Sequence, residues 1–562
     1  MTKRRSLIGA AVITAVVILV GGIAAYVYFR VLPGQRAADP ISSAKVVPDQ
    51  AWMAGYVSAD VNSWSKLKQF GNAEAQDLVA KGLGQFTENV DEGLGKYNLT
   101  YEQDFQPWLG SAMFALLPAA AGSAESAEPG VLVVVGIKDK VAALNFFNKM
   151  KNREEVKTTQ SKYKGVDLIE VKEGVETPTY LAVLEDHIAL APQQNIVEQA
   201  IDTFKGEPSL ATQAAATQAL SKVTDFETPI AQFYMPNYAE GVKQFLEANP
   251  GAAPLPLEAL DQFKQIESMA VGVGIDSAGI RIKMAAKVNP DQFKWEYKPV
   301  PGQVVAQFPA ETIALISGGG IDRQWSLVVE QLQKTNPDLR QGLDDFRQQF
   351  RQQTQLDLDK DIFGWMDGDY ALGFLPSQQG ITATVGFGAA VVMDTSDRTT
   401  AEAALGKLDT LAKNNRLSVG SGQVGTVSLT EWKVPNQETI LGHGWLDQDT
   451  VVLAIGGRTV AEAVTTKPSQ SLKDSEAFQT ITRSLPQPNA GYFFLDMDKT
   501  LALLKNNATL TQGAGVPTET EAILSSIRGI GMTTTQGDGR SPVGDHRDWV
   551  QWEGLIALKS KS

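Results

Sequence analysis

The chain contains no cysteine, which excludes disulfides, thiolate zinc sites, cysteine nucleophiles and a lipidated N-terminal cysteine. Histidine is almost as scarce. Only His187, His443 and His546 occur, and no two stand four apart as a helical metal pair requires. Positive charge is in deficit: 50 Lys and Arg against 64 Asp and Glu leave a formal charge of −14. That balance repels phosphate backbones, so nucleic acid is not an expected partner. Walker and G-x-G-x-x-G phosphate loops are missing, as is a G-x-S-x-G nucleophile elbow. No catalytic residue and no cofactor is therefore assigned, and a non-enzymatic role is favoured.

Long apolar runs are confined to one place. From Ser6 to Phe29 the chain carries no charge over 24 residues, about 36 Å as a helix against a hydrocarbon core of about 30 Å. A signal peptide would have a shorter apolar region. Lys3, Arg4 and Arg5 precede the run, and Tyr26, Tyr28 and Phe29 close it as interfacial aromatics. The expectation is a transmembrane helix over 6–29 after a basic cytoplasmic stretch, 1–5, with the bulk of the chain outside the cytoplasm.

The remainder, 43% hydrophobic and 20% charged over the whole chain, has the composition of a folded protein. It reads as a duplication. Pro48 and Trp64 recur as Pro309 and Trp325 at an offset of 261. Leu99, Asp104 and Trp108 recur as Leu356, Asp361 and Trp365 at 257. Asp139 pairs with Asp397, Leu168 with Leu429, Leu190 with Leu453 and Phe233 with Phe493, all in the same order. The reading is a juxtamembrane linker, 30–44, two homologous repeats, 45–288 and 304–558, and a proline-rich connector, 289–303.

Within the first repeat, VLVVVGI over 131–137 has the β-branched content of a buried strand. A helix follows with Val141, Leu144 and Phe147 on one face; GVDLIEV and YLAVLEDHIALA are then strands. A second helix carries Val197, Ile201 and Phe204, and PIAQFYM closes the unit. The expected fold class is α+β: a transmembrane helix, then two homologous domains, each a mainly antiparallel sheet with helices on one face and a ferredoxin-like β-α-β-β-α-β element.

One acidic segment stands out, with Asp357, Asp359, Asp361, Asp367 and Asp369 inside 13 residues. Alternate carboxylates suit a hard cation, making Asp357, Asp359 and Asp361 weak metal-ligand candidates. The spacing fails the EF-hand loop, since Ile362 and Gly368 stand where glycine and glutamate are needed. Asp104 and Asp361 are better read as caps on a short helical turn carrying Trp108 and Trp365.

The basic N-terminus and single anchor, the entry strands after Pro48 and Pro309, and the D-x-x-x-W-L-G motif at Asp104 to Gly110 resemble a family of single-pass bacterial proteins. That family is mainly cyanobacterial and defined by a duplicated domain of unknown function. The second repeat departs from the motif, with Asp367 in place of Gly110. The resemblance implies no reaction or ligand, and places the bulk in periplasm or thylakoid lumen. The functional expectation is a membrane-tethered extracytoplasmic binding or scaffold protein. Its partners are the bilayer, through residues 6–29, and membrane, periplasmic or lumenal proteins. The alternatives are a hydrolase using Asp357 to Asp369 and a carrier of a hydrophobic ligand. A scaffold predicts an exposed apolar patch, an enzyme convergent aspartates, and a carrier a large apolar cavity.

Overall fold

The computed structural model describes residues 39–95, 99–118, 129–151, 157–172, 178–248, 263–290, 298–335, 337–379, 382–434, 439–507, 510, 518–535 and 548–561. The chain divides into two compact units, the first within Met1–Gln69, Gln76–Asp276 and Ile282–Lys287, the second comprising Phe70–Ala75, Ser277–Arg281 and Val288–Ser562.

The first unit contains β1 (Met53–Ser58), β2 (Leu109–Leu117), β3 (Gly130–Ile137), β4 (Lys157–Tyr163), β5 (Val166–Lys172), β6 (Thr179–Leu184), β7 (His187–Ala191), β8 (Thr228–Met235) and β9 (Ile266–Asp276). β10, Gly279–Val288, follows. Antiparallel pairing orders these as β9-β8-β1-β2-β3-β7-β6-β5-β4. The second unit contains β11 (Ala314–Gly319), β12 (Asp369–Pro376), β13 (Phe387–Asp394), β14 (Ser418–Val424), β15 (Val427–Lys433), β16 (Thr439–Trp445), β17 (Thr450–Ile455), β18 (Tyr492–Asp496), β19 (Ile527–Thr535) and β20 (Trp549–Leu558). Its order is β20-β19-β18-β11-β12-β13-β17-β16-β15-β14, again antiparallel throughout. β11, β12, β13, β17, β16, β15 and β14 thus follow one another as β1, β2, β3, β7, β6, β5 and β4 do.

The expected fold class is corrected on two points, and a third lies outside the described residues. Four strands rather than two lie between the helices Lys140–Lys151 and Gln194–Phe204, and again between Arg398–Asn414 and Arg458–Thr465, so the ferredoxin-like β-α-β-β-α-β element is replaced by a long antiparallel meander. The extra strands arise because β4 and β14 are polar ribbons held by pairing with β5 and β15, and because YLAVLEDHIALA folds into a hairpin, β6 and β7, with Glu185 at φ 54 in its turn. In the first unit helices also cover both faces of β3 rather than one. Val133, Val135 and Ile137 cluster with Phe146 and Phe147 of the helix Lys140–Lys151. On the opposite face of β3, Ile196 of the helix Gln194–Phe204 packs so closely on Gly130 that a Cβ there would meet its Cδ1 at 2.4 Å. Burial of both faces explains why β3 is a continuous apolar run. Lastly, the transmembrane helix expected over residues 6–29 lies outside the described residues, and among those described no helix is long and apolar enough to cross a membrane.

Helix faces follow burial with one exception. Val197 and Ile201 are buried as predicted by their spacing, and so is Phe147, whereas Val141 is 67% exposed and Ala143 and Phe146 join Phe147 on the inward face. Residues 141, 144 and 147 are spaced by three, which drifts around a 3.6-residue helix, whereas 143, 146 and 147 hold one face.

Candidate functional site

Two single π-helical turns, Tyr101–Phe105 and Leu358–Phe363, carry the tryptophan motifs. The Trp108 indole N–H donates to the Asp104 carbonyl at 2.7 Å, and that of Trp365 to the Asp361 carbonyl at 3.1 Å. The aspartates act differently from the expected caps. Asp104 Oδ2 accepts the Thr100 N–H at 2.9 Å, and Asp361 Oδ2 accepts the Asp357 N–H at 2.8 Å, so each carboxylate closes the turn from within. The caps themselves are Thr100 and Asp357.

The metal-ligand candidates are occupied by other donors. Asp357 Oδ1 accepts the N–H groups of Asp359 and Lys360, both at 3.1 Å, and its Oδ2 pairs with Arg351. Burial acts to raise the Asp357 pKa, but the Lys360 N–H and Arg351 outweigh it and hold it below the usual carboxylate range. Asp359 Oδ1 accepts from the Trp325 indole at 2.6 Å and from Arg347 Nη2 at 2.9 Å. Asp361 also binds Lys407 Nζ at 2.9 Å; its pKa is lowered, first by the Asp357 N–H and then by Lys407 against the opposing effect of burial. Asp367 accepts the Ser396 N–H at 2.9 Å. Asp369 instead lies by Asp394, and burial raises both carboxyls. The acidic segment therefore splits among different surroundings. Among the described residues no group of three or more His, Asp or Glu is placed to hold a metal.

Of the histidines, His546 lies outside the described residues. His187 is buried, with Nε2 3.3 Å from Ser43 Oγ and 3.5 Å from Ser42 Oγ. Burial pushes its pKa down to about 4. His443 Nε2 lies 2.8 Å from Asp409 Oδ1, which also accepts the Trp432 indole N–H at 2.6 Å. An enclosed apolar cavity lined by Ala54, Tyr56, Met113 and Tyr234 measures about 10 Å³, room for about one water. An open cleft of about 380 Å³ lies between Pro309, Pro376, Glu462 and Pro468, away from the acidic segment.

The feature that sequence reasoning did not locate is a broad apolar face on the second unit. Register places Met532, Phe493, Ile316, Leu372, Val391 and Leu453 in one row across β19, β18, β11, β12, β13 and β17. Beside it runs a second row, Ile530, Leu495, Ala314, Phe374, Ala389 and Ile455. At about 4.8 Å per strand these rows extend about 24 Å. Ile316 and Ile455 are 41% exposed and Met532 39%, and the other nine are only partly covered. The opposite face is closed: Leu315, Phe494, Ala390 and Ala454 are at most 3% exposed.

The first unit has no such opening at β3 and β7. Val133 and Leu190, which pair as Val391 and Leu453 do, are 6% and 1% exposed. There Phe146 and Phe147 press onto the sheet, with Trp108 5.4 and 5.8 Å from their ring centroids. The second unit's helix, Arg398–Asn414, turns Ala401, Ala404 and Leu405 into the cluster around Trp365, with Leu408 partly buried beside them. Without the phenyl rings this layer covers less of its sheet. At the offset set by Asp139 and Asp397, which both cap these helices, Phe146 and Phe147 align with Ala404 and Leu405, a signal present in the sequence.

Comparison with known proteins finds no match among curated proteins. Solved structures of TP0453 in crystal forms III, I and IV are similar at 10%, 10% and 12% identity, with TM-scores of 0.25, 0.25 and 0.24. The likeness covers 46%, 47% and 44% of this chain and 83%, 83% and 82% of theirs. At that level neither fold nor function carries over. The family model described as "Protein of unknown function (DUF3352)" matches residues 11–546, and the chain belongs to that family.

Proposed function

We propose that this protein is a membrane-tethered extracytoplasmic binding protein built from a duplicated domain, with the apolar sheet face of its second unit as the binding surface. The observation that carries the reading is the 39–41% exposure of Ile316, Ile455 and Met532 on a sheet whose other face is sealed. Apolar rows of this extent are costly to leave in water, and a partner that covers them gains about 25 cal/mol for each Å² removed from solvent. Duplication gives a local difference a rationale: at β3 and β7 the first copy is filled by aromatic rings, whereas at β13 and β17 the second is less covered. The uncharged segment from Ser6 to Phe29 supplies the tether. Nine residues, 30–38, separate it from the first described residue, Asp39, so that Phe29 and Asp39 are at most about 36 Å apart. The resemblance to anchored bacterial proteins supports a reading with the bulk in a periplasm or thylakoid lumen. A hydrolytic role for the acidic segment has less support, because Asp357, Asp359 and Asp361 are engaged by Arg351, Arg347 and Lys407.

The test is affinity purification of the full chain from solubilised membranes, followed by mass spectrometry for proteins and small molecules. A stoichiometric companion that is lost from an Ile316→Asp, Met532→Asp variant is expected. A companion retained by that variant, or turnover that depends on the aspartates, would contradict the reading.

A further inference from the structure

A second unshielded apolar surface adjoins the open face in the same unit. Directly after β11 come two helices packed on each other, Ile321–Thr335 and Pro337–Thr354. Val328 on the first is 50% exposed and Phe346 on the second 52%. Leu343, Phe346 and Phe350 share a stripe at helical spacing, with the two rings 6.2 Å apart. The pair is bounded by left-handed residues, Gly320 at φ 65 and Gln355 at φ 58. A positive φ at a residue other than glycine is uncommon.

Side chains from both helices meet the acidic segment. Asp359 Oδ1 accepts from Trp325 and Arg347, and Asp357 pairs with Arg351. Trp325 stacks on Phe363 with centroids 4.4 Å apart. These carboxylates therefore fix the position of the helical pair, and that position leaves Val328, Phe346 and Ile316 all open to solvent.

We infer that the helices Ile321–Thr335 and Pro337–Thr354 form a hinged cover for the apolar sheet face, with Asp357 and Asp359 the latch that holds it off. The lengths agree. Ile316 lies four residues before Gly320, about 13 Å along a strand, and Val328 lies eight residues beyond it, about 12 Å along a helix. Folding back at Gly320 sets Val328 over Ile316 and turns the Phe346 stripe toward the sheet. Closure breaks the Trp325 and Arg347 bonds to Asp359, the Arg351 pair with Asp357, the Trp325–Phe363 stack, the 3.1 Å bond from the Asp322 N–H to the Met366 carbonyl and the packing of Ile321 beside Trp365. It buries two apolar surfaces in exchange. The latch is partly solvated, with Asp359 39% and Arg351 64% exposed, as suits contacts that open and re-form. The inference rests on the reading of the sheet face as a binding surface, since the cover regulates access to it.

The absence of cysteine allows a direct test on the full chain. Ile316→Cys and Val328→Cys are introduced together, and the rate of crosslinking by a short bis-maleimide is measured. With the latch intact the rate is low; adding Asp359→Ala is expected to raise it at least tenfold with an unchanged circular dichroism spectrum. Arg347→Gln, which opens the latch from the other side without altering the π-turn, is expected to do the same. Rapid crosslinking with the latch intact, or no increase in either folded variant, overturns the cover. An increase in chains that capture no companion upholds the cover and counts against the binding surface. An unchanged rate in both latch variants, with a companion that is lost through Met532→Asp, does the reverse.

Discussion

Replacing His187 with asparagine should flatten the acid side of the stability curve. The imidazole is 7% exposed on β7, facing Ser42 and Ser43 of the short helix Pro40–Ala44. Burial lowers its pKa from 6.5 to about 4, Asp186 and Asp39 raise it in part, and Lys45 lowers it further. Between those two values the unfolded chain binds the proton and the folded chain does not, so stability falls as pH drops through that window. For one group with these constants the loss between pH 7.5 and pH 4.5 is about 2.5 kcal/mol, levelling off below about pH 4. The assay is urea unfolding of the full chain followed by tryptophan emission at several pH values, wild type against His187→Asn. Carboxylates titrate in both chains, so the difference between the two curves isolates the histidine. The variant is expected to lose about 2.5 kcal/mol less than the wild type over this range. Parallel curves would refute a buried neutral imidazole.

Trp108→Ala should cost about 3–5 kcal/mol in urea unfolding, because the indole is wholly buried and packs against Phe105, Phe146 and Phe147. Asp104→Ala and Asp361→Ala should each cost about 1–2 kcal/mol by the same measurement, since each removes the acceptor for the N–H four residues earlier. Ile316→Asp combined with Met532→Asp should change stability by less than about 1 kcal/mol, the side chains being 41% and 39% exposed. The same pair should reduce binding of a hydrophobic fluorescent dye, measured by titration.

Much of the strand content was legible as β-branched runs, and several of the spaced pairs occupy matching places. Leu168 and Leu429 are both 2% exposed on β5 and β15. Pro48 and Pro309 form isolated bridges with Ser209 and Ser471. Strands β4 and β14 were illegible because KTTQSKY and SVGSGQV lack apolar alternation; neighbours, not propensity, make them strands. The β6–β7 turn was missed for a related reason. Glu185 adopts φ 54 without the glycine or asparagine that ordinarily signals such a turn. Carboxylates closing a π-turn from within depend on a backbone winding that periodicity does not encode. The open face was hidden more deeply, since its twelve residues come from six strands and meet only through register. The exchange of Phe146 and Phe147 for Ala404 and Leu405 was nevertheless readable once the helices were aligned on Asp139 and Asp397.

The central claim, that the second unit binds through its apolar sheet face, is tested most directly by photo-crosslinking in intact membranes. A photoreactive side chain is placed at Ile316, at Met532, or at Val141, which is 67% exposed but points away from the Phe146 cluster in the first unit. The account predicts one discrete adduct from positions 316 and 532 and none from 141. Equal labelling from all three positions, or adducts from 141 alone, would contradict it.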